Sequence, residues 1–131
     1  MPYVHRILAA AAALFLVVAV AQETASPASL FAVASDGEHA DAGISKLAGI
    51  APFYHLYDEN GRLVEVIANP FLDQEFGIGP AAANMLADKG AAVIIGRRIP
   101  GPKMMDVVQE RQMRFVRRKG TVADVASELR E

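Results

Sequence analysis

Apolar and polar positions along this chain fall into short runs of two kinds, and the change between them marks the elements. Leu30-Phe31-Ala32-Val33-Ala34 is a strand-like apolar run that Ser35-Asp36-Gly37 ends. Pro52 to Tyr57 and Arg62 to Ile67 are two further strands. Asp58-Glu59-Asn60-Gly61 joins them, and Asn-Gly between β-rich runs is a strong hairpin signal. Gly77-Ile78-Gly79-Pro80 opens a helix expected from Pro80, because a proline in the first turn removes an N–H that has no helical partner. Ala81 to Lys89 holds good helix formers, and Gly90 suits the left-handed residue that closes a helix. Ala92 to Ile95 is apolar enough to be buried on both faces of a parallel sheet.

Gly101-Pro102 opens a second helix, with Met104, Met105, Val107 and Val108 expected on its inner side. Gln112 to Val116 reads as a fifth strand and Arg117-Arg118-Lys119-Gly120 as a basic turn. Thr121 then caps a last helix whose Val122, Val125, Ala126 and Leu129 recur at helical spacing. The order is β, ββ hairpin, α, β, α, β, α. Right-handed crossovers make the strand–helix–strand steps parallel, and the hairpin adds an antiparallel strand. The expected fold is α/β: a mixed five-stranded sheet with one antiparallel hairpin strand, flanked by about three helices.

The head of the chain belongs to another pattern. Ile7 to Ala21 contains no polar residue, follows Arg6, and ends in Ala19-Val20-Ala21 before Gln22. That is the form of a secretory signal peptide over residues 1–21, implying export to a periplasmic or secreted location. An uncleaved membrane anchor is the rival reading, but a spanning helix needs ~20 apolar residues. Residues 22–29 read as a flexible leader and 30–131 as one domain, since about a hundred residues carry one core. After cleavage no stable membrane insertion is expected. Arg6 leaves with the signal, so 13 basic residues become 12 against 15 acidic ones. That balance argues against generic nucleic-acid binding. There is no cysteine, so a metal or cluster must be held by His, Met, carboxylate, backbone or charge.

In sheets of this kind ligands sit beyond the carboxyl ends of parallel strands, where strand order reverses. Three loops leave those ends: Ser35-Asp36-Gly37 to Ser45, Gly96 to Gly101, and Arg117 to Gly120. Arg97, Arg98, Arg117, Arg118, Lys119 and Lys103 are expected to converge there, joined by helix starts at Gly79 and Gly101 that favour anions. Basic turns are also common as solvated strand ends. His39, between Glu38 and Asp41 and near Asp36, is a weak candidate for metal, and its spacing matches no closed zinc pattern. His55 reads as a half-buried packing residue, and Met104-Met105 as core filling. No catalytic constellation is present, and the one glycine pair, Gly77-x-Gly79, lacks the rest of a dinucleotide fingerprint. A nuclease would need more carboxylates than Asp36 and Asp41.

Val33-Ala34-Ser35-Asp36-Gly37, Ala51-Pro52-Phe53-Tyr54, Gly77-x-Gly79-Pro80-Ala81-Ala82, Asp88-Lys89-Gly90 and Gly120-Thr121-Val122 together resemble the NifX/NifB-type dinitrogenase iron–molybdenum cofactor biosynthesis domain. The resemblance runs from about Leu30 to Leu129. It implies a ribonuclease-H-like fold and a non-catalytic protein that binds or carries a preformed metal–sulfur cluster. It also implies a histidine in a His-Phe-Gly before the hairpin, and this chain has Leu47-Ala48-Gly49 there instead. An imidazole contact would then have to come from His39 or His55.

Two functions follow as expectations. The first is an exported carrier of an anionic iron- or molybdenum–sulfur cluster or oxyanion. Arg97, Arg98 and Arg117 would neutralise the guest, and backbone N–H groups of Asp36, Gly37, Gly79 and Gly101 would bind it. The second is a protein-interaction module without cofactor, with Leu47 as its sign. The expected partners are the anionic guest, an exported protein, or a second copy paired through the hairpin edge.

Overall fold

A computed structural model describes residues 29–131. The expected signal peptide and residues 22–28 of the expected leader lie outside the described residues. The elements are β1 (Leu30–Ser35), a 3-10 turn (Ala48–Ile50), β2 (Phe53–Tyr57), β3 (Leu63–Ala68), α1 (Ile78–Asp88), β4 (Ala91–Gly96), α2 (Pro102–Glu110), β5 (Arg114–Arg117) and α3 (Val122–Arg130). The sheet order is β3-β2-β1-β4-β5. β1 runs parallel to β4 and β4 to β5, while β2 is antiparallel to both β1 and β3. The expected mixed sheet with one antiparallel strand and three helices is therefore the observed one.

Alternation along the strands divides the core in two. Ala32, Ala34, Tyr54, Leu56 and Ile94 face α1, α2 and the 3-10 turn. Val33, Tyr57, Val93 and Ile95 face α3, whose Val122, Val125 and Ala126 fall at the expected spacing. On α2 only Met104 and Val108 are buried, at i and i+4. Met105 and Val107 sit half-buried on the flanks of that stripe. His55 is fully buried on β2, deeper than its pattern suggests. No helix among the described residues is long and apolar enough to cross a membrane.

Two element boundaries differ from the sequence reading by more than one residue. α1 begins at Ile78, ahead of Pro80, because Gly77 turns into the helix with φ 71° and its carbonyl accepts the Ala81 amide at 3.0 Å. Pro80 still lies in the first turn, where its missing N–H costs nothing. β5 begins at Arg114 rather than Gln112. The end of α2 takes up the two residues between: Gln112 adopts φ 57°, its amide donates to the Gln109 carbonyl, and the Met113 amide donates to the Val108 carbonyl. This is a left-handed helix closure with glutamine where glycine is usual. The hairpin and the end of α1 follow expectation, with Gly61 at φ 77° and Gly90 at φ 99°.

The chain enters the domain at the amino end of β1. The site described next lies at the carboxyl end, about 20 Å further along a six-residue strand.

Candidate functional site

The three loops beyond the parallel strands are stitched together by backbone. The Arg97 amide donates to the Ser45 carbonyl at 3.0 Å, the Arg118 amide to Gly96 at 2.9 Å, and the Ile44 amide to Gly120 at 2.9 Å. Ser35 with Ile44 and Gly43 with Thr121 add isolated antiparallel bridges. The expected meeting of the loops is thus real in the backbone. Where their side chains go is a separate matter.

Two adjoining hollows open at this edge. The larger, about 460 Å³, lies between the amino ends of α1 and α2, with Gly79 and Gly101 in its wall and Lys46, Arg98 and Lys103 around it. No carboxylate of the described residues lines it. The smaller, about 430 Å³, is bordered by Asp36, Ser45 and Arg97. Lys46, Leu47 and Ile50 border both, so the segment carrying the 3-10 turn is their common wall. The ion pairs among the described residues are Lys89–Glu65, Arg111–Asp88 and Arg118–Glu128. Lys46, Arg97, Arg98 and Lys103 belong to none of them, so among the described residues no ion pair neutralises their charge.

Helix geometry adds to that field. The amides of Ile78 and Gly79 in α1, and of Lys103 and Met104 in α2, are first-turn groups without acceptors in their helices. The aligned peptide dipoles place partial positive charge at both helix starts. The lip itself is apolar: Leu47, Ile50 and Ile99 are 50%, 47% and 62% exposed. A cationic, amide-rich hollow with an aliphatic lip suits an anion that carries a soft or weakly hydrated surface.

The expected site residues divide. Gly79, Arg98 and Gly101 line the larger hollow, and Asp36 and Arg97 the smaller. Gly37 does not serve as a donor. Its amide is bound to Ser35 Oγ at 3.0 Å, and its carbonyl accepts Ser35 Oγ at 2.6 Å and His55 Nε2 at 3.0 Å. The Asp36 amide is spent on the Gly43 carbonyl at 3.0 Å. Arg117 is exposed and stands at neither hollow. Arg118 turns onto α3, where it meets Glu128 at 2.5 Å and donates to the Lys119 carbonyl, so it leaves the expected cluster.

His39 is exposed in the turn that its carbonyl closes onto the Ala42 amide. No group of three or more metal-ligating His, Cys, Asp or Glu side chains occurs among the described residues. His55 is committed to the Gly37 carbonyl. Neither His39 nor His55 lines either hollow, so neither supplies the imidazole contact that the resemblance implies.

Sequence reasoning passed over Lys46, Ile50 and Ile99, and it read Met104 only as core. Their signal was present: all but Met104 lie beside Pro, Gly or the segment that departs from the family pattern. It also passed over Tyr54 and Asn69. Burial raises the Tyr54 hydroxyl well above its ordinary pKa, so it stays protonated as a donor.

The family model described as dinitrogenase iron-molybdenum cofactor matches residues 29–131. No curated protein matches the chain. Among solved structures, the apo form of the orange protein from Desulfovibrio gigas aligns with a TM-score of 0.69 at 23% identity, covering 77% of this chain and 86% of that one. At that identity the likeness is one of fold. A protein from Thermotoga provisionally assigned as NifB, placed in the DUF35 family, aligns with a TM-score of 0.62 at 26% identity, covering 78% of this chain and 90% of that one.

Proposed function

The chain belongs to the dinitrogenase iron-molybdenum cofactor family, and on that premise we propose that it is a non-catalytic carrier whose cargo is a preformed anionic metal–sulfur cluster or oxyanion held in the larger hollow. One observation carries the reading: among the described residues, a cavity between two helix amino ends bears three cations outside every ion pair and no carboxylate. Lys46, Arg98 and Lys103 supply charge, and first-turn amides of α1 and α2 supply hydrogen bonds. Arg97 and Asp36 border the neighbouring hollow and select what extends into it. The donor set fits a guest that brings its own sulfide or oxo ligands, since among the described residues the hollow offers no histidine or carboxylate to a bare metal ion, and the chain has no cysteine.

Titration of the purified full chain with molybdate and tetrathiomolybdate, followed by absorbance and calorimetry, tests this. Saturable binding that Arg98→Ala/Lys103→Ala weakens by an order of magnitude or more supports it. No binding, or binding indifferent to that pair, removes it.

A second reading has its own support. The lip residues Leu47, Ile50 and Ile99 are exposed, and no imidazole of the described residues lines the hollow. These features suit a cofactor-free member that docks a protein partner through the same mouth. Elemental analysis of protein purified from its native host separates the two, since only the carrier contains molybdenum or iron in stoichiometric amount. We also propose export, with cleavage after Ala21, on the pattern of residues 1–21. An amino-terminal residue other than Gln22 in the secreted or periplasmic fraction argues against that site.

A further inference from the structure

The wall shared by the two hollows has little secondary structure of its own. It is a single 3-10 turn with one internal bond, from the Ile50 amide to the Leu47 carbonyl at 3.1 Å. What holds it comes from beneath. The Tyr54 hydroxyl donates to the Ala48 carbonyl at 2.5 Å. Asn69 Nδ2 donates to the Ala51 carbonyl at 3.0 Å and lies 3.4 Å from the Tyr54 oxygen. Asn69 Oδ1 in turn accepts the Phe71 amide at 3.0 Å, which fixes the amide plane. Tyr54 is fully buried and Asn69 nearly so.

Two polar side chains so placed are costly unless paired, and an apolar pair of the same shape would fill the core without that requirement. Both spend their donors on one segment. Its buried residues Ala48 and Ala51 belong to the core, and Leu47, Gly49 and Ile50 border the hollows. We infer that Tyr54 and Asn69 are positioning residues for the guest site: from inside the core they set the height and tilt of the wall that Leu47, Gly49 and Ile50 present. The inference rests on the carrier reading, and it adds that affinity depends on two residues that never touch the guest. Holding a wall in its bound shape before binding spares the guest the cost of ordering it.

The test compares the full chain with Tyr54→Phe and with Val125→Ala, a core truncation in α3 on the opposite face of the sheet. Hydrogen exchange over residues 47–51 is read in the free protein, and tetrathiomolybdate affinity by titration. Near-UV circular dichroism checks that each variant is folded. Tyr54→Phe is expected to speed exchange over 47–51 about tenfold and weaken binding about fivefold, the size of one lost hydrogen bond. Val125→Ala should leave both within about twofold while lowering Tm. The inference is overturned if Tyr54→Phe behaves like Val125→Ala in both readouts. Should Tyr54→Phe fail to fold, Asn69→Ser carries the same comparison. If the parent protein binds no tetrathiomolybdate, the carrier reading falls, and exchange over 47–51 still decides whether Tyr54 holds the wall.

Discussion

Gly49 and Gly79 meet back to back: a methyl group on Gly49 would lie 3.0 Å from the Gly79 Cα and 3.2 Å from the Met104 sulfur. The 3-10 turn and the start of α1 touch there through backbone alone. Gly49→Ala therefore drives a methyl into main chain that cannot yield, and a loss of about 1–3 kcal/mol is expected. For a domain of this size that lowers Tm by roughly 4–8 °C per kcal/mol, measurable by calorimetry. Gly79→Ala meets Met104, its Cβ at 3.2 Å and its sulfur at 3.4 Å, and approaches the Gly49 Cα only to an ordinary 3.6 Å, so it should cost less than Gly49→Ala, about 1 kcal/mol. Equal losses would show that the contact is not the limiting one.

Leu47 stands at the border of both hollows, at the position where the resemblance implies a histidine. Leu47→His should place an imidazole against whatever occupies either one. Binding of tetrathiomolybdate loaded with iron is expected to tighten by about tenfold, the effect of one added charged hydrogen bond or metal contact. Absorbance titration reads it, and unchanged affinity would mean that this wall faces the guest differently.

The cations of this edge are not equivalent. Arg118 is engaged with Glu128 on the surface of α3, so Arg118→Ala should leave guest affinity within about twofold and cost under about 1 kcal/mol of stability. Arg98→Ala should weaken binding and flatten its dependence on salt, because an unpaired cation attracts an anion through a field that ions screen. Titrations at low and high sodium chloride distinguish the two variants.

Gln112 holds φ 57°, a conformation that costs a side chain about 1–2 kcal/mol relative to glycine. Gln112→Gly should raise stability by up to about 1 kcal/mol, since glycine's greater freedom when unfolded offsets part of the relief. Urea denaturation checks this, and a decrease would show that the glutamine side chain holds α2 closed.

Asp124 closes the capping box of α3: its Oδ2 accepts the Thr121 amide at 2.9 Å, and the Thr121 hydroxyl accepts the Asp124 amide at 3.2 Å. The Thr121 backbone hydrogen bond holds the carboxyl below its ordinary pKa. A lowered folded pKa means stability that is present above the unfolded value, about 3.9, and lost as pH falls through the folded one. The difference in stability between the parent and Asp124→Asn should therefore be constant near neutrality and shrink below about pH 4. A gap that stays constant into acid would show that charge plays no part in the cap.

Much of the architecture was legible because local chemistry and the global fold agree. Asn60-Gly61 made the hairpin, Gly90 ended α1 and Thr121 began α3, each through a constraint that acts within a few residues. Where the backbone at a helix end took a left-handed turn that the pattern of apolar residues does not mark, the boundary moved. α1 reached back to Gly77, and the closure of α2 took Gln112 and Met113 from the strand. The site was legible only in its backbone. The three loops meet as their strand ends require, but nothing in Arg117-Arg118 tells which arginine finds Glu128 ten or so positions later. Nor do the glycines of the first loop reveal that the Asp36 and Gly37 amides are already used. Side-chain partners across long separations are decided by packing, which periodicity does not encode.

The path of β1 has a practical consequence. Whatever is fastened upstream of Leu30, be it a bead, a fluorophore or a lipid bilayer, attaches at one pole of the domain, and the cationic mouth opens at the other. A label or tether placed there thus stands a strand's length away from the mouth and leaves it open to solvent.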